Sequence, residues 1–418
     1  MTDTTTTDSE TAETAPHAAG AAGSVPPVFF PLPRESLLDP PAVLARWRQE
    51  QPVHMVALPG GRHTWLVTRY ADARAVLTDP RFSSMSERPG FPTVQAEPIQ
   101  SVPGAFLEYD PPAHGRLRRM LTKDFTPKRV AGLRPAVERI TGGLLDALCA
   151  HGPPADLVEH FALPLPVAVI CEVLGVPYED RHLFHEWGRL IGSLTAPSHE
   201  VSTAVEEFDA YLRDLLRAKA AEPRDDLLSR LMADQVHTGE LALDETVGVA
   251  MVLLVAGHDP SSKALGLAVV QLLQAPELQR ELCAAPERLS GVVEELLRFL
   301  SPFHTAFRQA TENVTVGGVT VRADEGVLVS LQAANHDPGV FEEPDRLHCA
   351  RYRPRHHLGF GYGIHQCLGQ HLARLELTVA LRELFRRLPG LRLAVPVETL
   401  AFQERGVVDG PAAVPVRW

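Results

Sequence analysis

The chain has 418 residues, a formal net charge of -12, 45% hydrophobic and 22% charged residues. This balance is globular and excludes a disordered chain, a collagen and a coiled-coil rod. The acidic total supplies no general basic field, so nucleic acid is not an expected partner.

Residues 1–25 are rich in Thr and Ala, lack periodicity and read as a disordered tail. The polar, acidic start has neither the basic nor the apolar segment of a signal peptide. A single ordered domain is expected over 26–418. Gly60-Gly61 separates strand-like runs at 53–58 and 64–67 and predicts a hairpin. Residues 81–106, rich in Ser, Gly and Pro, read as a long loop of a kind that usually binds something. From 112 to about 300 the pattern is mostly helical, with apolar positions three and four apart in 137–148, 204–216 and 226–232. Asp244-Glu245 opens a long helix toward Leu273, and Pro276 and Pro286 punctuate the helices that follow. Residues 314–329 alternate like paired strands around Gly317-Gly318. Residues 370–388 form an amphipathic helix, and two or three short strands close the chain from 391. No repeat is visible. The expected class is mainly α (α+β), a helix-dominated chain.

The longest apolar run, 247–256, is far too short for a membrane span, so no membrane association is expected. The five cysteines, Cys149, Cys171, Cys283, Cys349 and Cys367, are odd in number and include no CxxC pair. They fit neither a disulfide framework nor a zinc ribbon, and a reducing, cytoplasmic setting suits them.

One segment stands apart: Phe360-Gly361-Tyr362-Gly363-Ile364-His365-Gln366-Cys367-Leu368-Gly369, running into the helix from Gln370. Glycines allow close backbone approach to a ligand. A cysteine before a helix N-terminus meets the positive end of the dipole, which favours a thiolate. Such a thiolate serves as a nucleophile or as an axial ligand to haem iron. A lone cysteine in a glycine-rich turn is more often simply buried, but the ten-residue context argues for a job.

The segment resembles the haem-binding loop of the cytochrome P-450 superfamily in its soluble bacterial form. That loop reads Phe-x-x-Gly-x-His-x-Cys-x-Gly, matched here by Phe360, Gly363, His365, Cys367 and Gly369. The resemblance extends from about residue 28 to the end. It implies a helix-rich triangular prism with small β-sheets, and haem b held by the Cys367 thiolate, with Phe360 and Gly361 on the sulfur side. Glu295 and Arg298, on one helix face about 70 residues earlier, match the family's buried ion-pair network. Arg351 is the expected third member, in preference to Arg346. In Asp110-Pro111-Pro112-Ala113-His114-Gly115-Arg116-Leu117-Arg118, the resemblance assigns His114 and Arg118, with Arg308 and His365, to the haem propionates. Arg116, Arg119, Lys123, Lys128 and Arg129 read either as a solvated helix face or as a basic patch for an acidic ferredoxin.

The pattern breaks at Ala256-Gly257-His258-Asp259-Pro260-Ser261. The family's Ala/Gly-Gly-x-Asp/Glu-Thr is matched by Ala256, Gly257 and Asp259, but Pro260 stands where the threonine is expected. Splitting an O–O bond needs protons, supplied by an acid and relayed through an alcohol or water. Proline has neither hydroxyl nor N–H, frees the carbonyl of Ala256 and costs a helix interior about 3 kcal/mol. The relay then passes to Ser261, to Ser262, to water or to the substrate. A simple kink is the plainer alternative. Substrate contacts are expected at Phe91, Leu253, Ala256, Phe303, Thr305 and Phe402, with His304 and Gln403 as polar partners.

The resemblance implies a monooxygenase that uses O2 and takes electrons from a separate ferredoxin and ferredoxin reductase. It would oxidise a small secondary metabolite by hydroxylation, epoxidation or oxidative coupling. A carrier-bound or peptide substrate, a peroxide-driven oxidase, and a haem-binding module without turnover remain alternatives.

Overall fold

The computed structural model describes residues 28–93, 101–191, 196–349, 356–402 and 408–418, without the side chains of 60, 281, 283, 284 and 286. The expected tail, Arg351 and Gln403 lie outside the described residues.

Helices dominate. In chain order they are α1 Val43–Glu50, α2 Tyr70–Thr78, α3 Ala113–Thr122, α4 Pro127–Gly132, α5 Arg134–His151, α6 Pro164–Leu174 and α7 Arg181–Ile191. There follow α8 Ser198–Ala221, α9 Leu227–Leu231, α10 Leu243–Leu273, α11 Pro276–Ala284, α12 Leu289–Leu300, α13 Leu331–Asn335 and α14 Gln370–Arg387. The strands are β1 Val53–Ala57, β2 His63–Val67, β3 Phe82–Ser83, β4 Ala155–Asp156, β5 Thr305–Ala310, β6 Val314–Val316, β7 Val319–Val321, β8 Gly326–Ser330, β9 Arg392–Leu393 and β10 Pro415–Arg417.

The central helix α10 begins where Glu245 accepts the Ala242 backbone N–H at 3.1 Å, the half of a capping box that an alanine at the N-cap allows. It then runs unbroken through Pro260 to Leu273. Most of its apolar residues are buried, because α5, α6, α8, α12 and α14 share one large apolar core with it. A helix enclosed in this way is apolar nearly all round, which explains its weak amphipathic signal.

The expected hairpin at Gly60-Gly61 forms as β1 and β2, antiparallel from Val53↔Val67 to Ala57↔His63. A second hairpin is local, and the remaining pairings are not. Residues 314–321 pair as β6 and β7 around Gly317-Gly318. The end of the expected 314–329 pair does not join them. Asp324 turns the chain in a left-handed conformation, and β8 pairs antiparallel with β5 and parallel with β2. Its residues, Gly-Val-Leu-Val-Ser, are all buried, as a strand covered on both faces requires. The five-stranded order is β1-β2-β8-β5-β3. At the C-terminus β10 joins β9 to the distant β4. No helix among the described residues is long and apolar enough to cross a membrane.

The loop between α13 and α14 carries the cysteine. It is framed by α2, α3, α12 and the start of α14.

Candidate active site

Two glycines with left-handed backbone angles set the cysteine loop. Gly361 and Gly363 adopt φ +68° and +76°. A Cβ on Gly363 would fall 2.4 Å from the Leu77 carbonyl, so only glycine fits there. The Cys367 N–H donates to the Phe360 carbonyl at 2.9 Å. Although Cys367 sits deep in the fold, its surface is exposed, so it opens onto a cleft. Burial pushes its thiol up. The Gly369 N–H and the charges of Arg118 and Arg374 pull the other way.

Arg374 was not expected here. Its guanidinium stacks over the Phe360 ring at 4.4 Å and is held by Glu294 through Nη2–Oε2 at 3.0 Å. Glu294 also pairs with His357 Nε2 at 3.2 Å. Burial opposes ionisation of Glu294, but His357 and Arg374 outweigh it and hold the carboxyl at about 2. This three-membered network braces the sulfur side of the loop.

Beside the cysteine lies a cluster of cationic and hydrogen-bonding groups. The rings of His114 and His365 are 4.1 Å apart. Arg118 donates through Nη2 to the Gln366 carbonyl at 2.5 Å, and Arg308 through Nη1 to the Phe307 carbonyl at 2.7 Å. Nε2 of His114, Nη1 of Arg118 and Nδ1 of His365 are buried without a partner among the described residues. Burial and the neighbouring Arg308, His114 and Arg118 push His365 down to about 3. Arg308 is pushed down to about 10, chiefly by burial. The adjacent carboxylate, Asp110, is taken by the Ser83 hydroxyl at 2.5 Å and the Ser84 N–H at 2.9 Å. Buried donors without partners are costly. Two carboxylates entering from the cleft would satisfy all three, and a haem beside a cysteine thiolate brings two. The residues present fit that group.

On α10, Ala256 is exposed in the middle of a helix otherwise mostly buried, so the helix too borders a cleft. Gly257 packs closely against α6. A Cβ there would meet Ile170 of α6 at 2.8 Å, so the glycine admits close helix packing. Ser261 lies one residue on, about 100° around the helix, where its hydroxyl acts on the Glu376 carboxyl of α14. Glu376 is 4% exposed, its Oε2 has no partner, and burial pushes its carboxyl up to about 8, with Ser261 opposing. Asp259 pairs with Lys263 at 3.0 Å.

Glu295 and Arg298 form a two-pronged ion pair, Nε–Oε2 and Nη2–Oε1 both at 2.9 Å, with both side chains essentially inaccessible. Arg298 also donates to the carbonyls of Asn335 and Pro344 at 2.8 and 2.9 Å, and Glu295 accepts the His348 N–H at 2.9 Å. The pair thus pins α12 to the chain leading into the cysteine loop.

The expected substrate contacts are dispersed. Phe91 stacks on Phe307 at 6.4 Å, Phe402 lies under Arg34 at 5.7 Å and Phe303 bridges to Val408. Leu253 belongs to the main core. Thr305 is buried with its hydroxyl on His304 Nδ1 at 2.9 Å. Among the basic residues of 116–129, Arg116 pairs with Glu245, Lys123 with Asp234 at 2.8 Å and Arg129 with Asp225 at 3.0 Å. Acids on neighbouring elements therefore offset much of that charge.

Residues 196–389 match the family model described as Cytochrome P450. The chain is 45% identical to pentalenic acid synthase of Streptomyces avermitilis over 94% of this chain and 98% of that protein. It is 43% identical to the mycinamicin IV hydroxylase/epoxidase of Micromonospora griseorubida, over 89% and 94%. The crystal structure of a mycinamicin VIII C21 methyl hydroxylase bound to mycinamicin VIII superposes with TM-score 0.87 at 38% identity, over 94% of this chain and 100% of that one.

Proposed function

Because the chain belongs to the cytochrome P450 family, whose members are monooxygenases with haem b on a cysteine thiolate, we propose that Cys367 is the axial ligand and that this enzyme oxidises a medium-sized secondary metabolite. The carrying observation is the set of orphaned donors on His114, Arg118 and His365 beside an open cysteine. When bound, the haem supplies oxygen binding and the oxidising power for inserting one oxygen atom.

This chain's residues do the rest. His114, Arg118, His365 and Arg308 receive the propionates and lock the plane of the group. Phe360, shielded by Arg374, keeps water from the sulfur, and the Gly369 N–H tempers its charge. Ala256 leaves room on the distal side. Pro260 brings no hydroxyl there, so the proton moves through water or the substrate, with Asp259 as acid. Ser261 supplies a hydroxyl toward Glu376 rather than in the missing position. Electrons come from NAD(P)H through a separate reductase and an acidic ferredoxin in the cytoplasm, docking at Arg116, Arg119, Lys123, Lys128 and Arg129. Residues 26–418 work as one haem domain. The substrate class follows the relatives named for pentalenic acid and mycinamicin.

The reduced, CO-treated protein should give the thiolate-type absorption, and Cys367→Ser should lose it while remaining folded. A wild-type spectrum without it rejects the reading. Difference spectra against candidate natural products then identify the substrate. A second reading, peroxide-driven oxidation, is favoured by Pro260. Product formed with peroxide at a rate matching the ferredoxin-driven reaction would select it.

A further inference from the structure

The acid on α10 is not free. Asp259 Oδ2 pairs with Nζ of Lys263, one turn later, at 3.0 Å. The same ammonium donates to the Val408 carbonyl at 3.0 Å. The lysine side chain is 12% exposed and the carboxylate 40%. The segment 408–411 lies directly on the lysine stem. A Cβ on Gly410 would fall 2.7 Å from Cβ and Cγ of Lys263, and one on Gly266 would meet Pro411 at 3.0 Å. That segment is itself anchored. Val408 bridges Phe303, the Asp409 N–H donates to the Pro302 carbonyl at 3.0 Å, and the Asp409 carboxylate holds Arg34 at 2.8 Å and His304 at 3.5 Å.

We infer that Lys263 is the positioning residue for Asp259, holding its carboxylate from one helical turn away and joining it to the 408–411 turn. The inference rests on the haem-thiolate reading for its importance but not for its test. A mostly buried ammonium needs an anion and acceptors. Here it has one carboxylate on its own helix and one carbonyl on a remote segment, so removing it releases both. The other titratable groups acting on this site are His185 of α7 and His258 of α10, each of which feels both Asp259 and Lys263. Lysine is a compact point charge that reaches both partners along a flexible stem. Proline at 260 leaves the helix no hydroxyl of its own at the next position, so the setting of Asp259 matters more than it would beside a threonine.

The test follows the Asp259 carboxyl by 13C NMR of aspartate-labelled, CO-bound diamagnetic protein, with the signal assigned by Asp259→Asn. In Lys263→Met that signal should shift, and Lys263→Arg should restore it. Amide exchange in 408–410 should quicken in Lys263→Met but not in Asp259→Asn, because the Val408 link belongs to the lysine. Lys263→Gln repeats the measurement should the methionine variant misfold. An unchanged carboxyl signal together with unchanged exchange overturns the proposal. Failure of the haem reading instead appears as a wild type that binds no CO, and the same measurement then runs on the CO-free protein.

Discussion

The Ser261 hydroxyl acts on the Glu376 carboxyl where α10 packs against α14, one residue past the proline that displaces the expected hydroxyl. Among the described residues the carboxyl is almost fully enclosed, has no counter-cation and keeps one oxygen without a partner. A neutral acid is the form such a site tolerates.

A pH dependence follows. The folded carboxyl is raised from its ordinary 4.5 to about 8, so the folded state holds the proton more tightly than the unfolded chain. Its stabilisation is complete below the unfolded value and is lost as pH rises toward about 8. Glu376→Gln removes that titration. Unfolding free energies from denaturant curves should converge for the two proteins at acid pH. The variant should gain on wild type between about pH 5 and pH 8, by at most ~5 kcal/mol. Parallel curves would place the carboxyl in a wetter site than the structure has.

The Glu295–Arg298 pair is enclosed with every strong donor and acceptor engaged. Removing one partner strands a buried charge, a cost of about 3–5 kcal/mol. Arg298→Met should therefore lose that much stability and, because α12 releases the chain toward 356–369, lose haem as well. Denaturant unfolding with pigment content per polypeptide measures both.

His365 sits at about 3 because burial and neighbouring cations disfavour its charged form. Its folded value lies below the unfolded one, so the haem-free protein loses stability as pH falls from about 6.5 toward 3. His365→Gln should soften that acid loss. In the haem-loaded protein the propionates supply the missing counter-charge, and the wild type should resist acid at least as well as the variant. Circular dichroism during acid titration of both forms decides this.

Pro260→Thr tests proton delivery. With water or substrate carrying the proton, the variant should change the ratio of product to oxygen consumed by less than about threefold. A large gain in coupled product with the same substrate would mean the helix lacks only a hydroxyl.

Charge reversal at Arg116 and Arg119 tests partner docking. Ferredoxin-driven reduction should slow, and its dependence on salt should flatten. Because Arg116 already pairs with Glu245, the larger effect is expected from Arg119.

Much was legible from sequence alone where the signal is local. Glycines with forced backbone angles around Cys367, the i,i+3 pair Glu295/Arg298, the hairpin at Gly60-Gly61 and the proline at 260 each act over a few residues, so their spacing carries their meaning. Tertiary structure decided what depends on distant chain. Arg374, Glu294 and His357 meet across 63 and 80 positions, and nothing in their own neighbourhoods marks them. Ser261 finds Glu376, and Lys263 finds Val408, because side chains on a buried helix turn toward whichever element packs there. β8 leaves its sequence neighbours for β5 and β2 because full burial of a strand outweighs the local turn. Burial, charge and hydrogen bonding are properties of the assembled interior, and together they set the shifted acids and bases in this site.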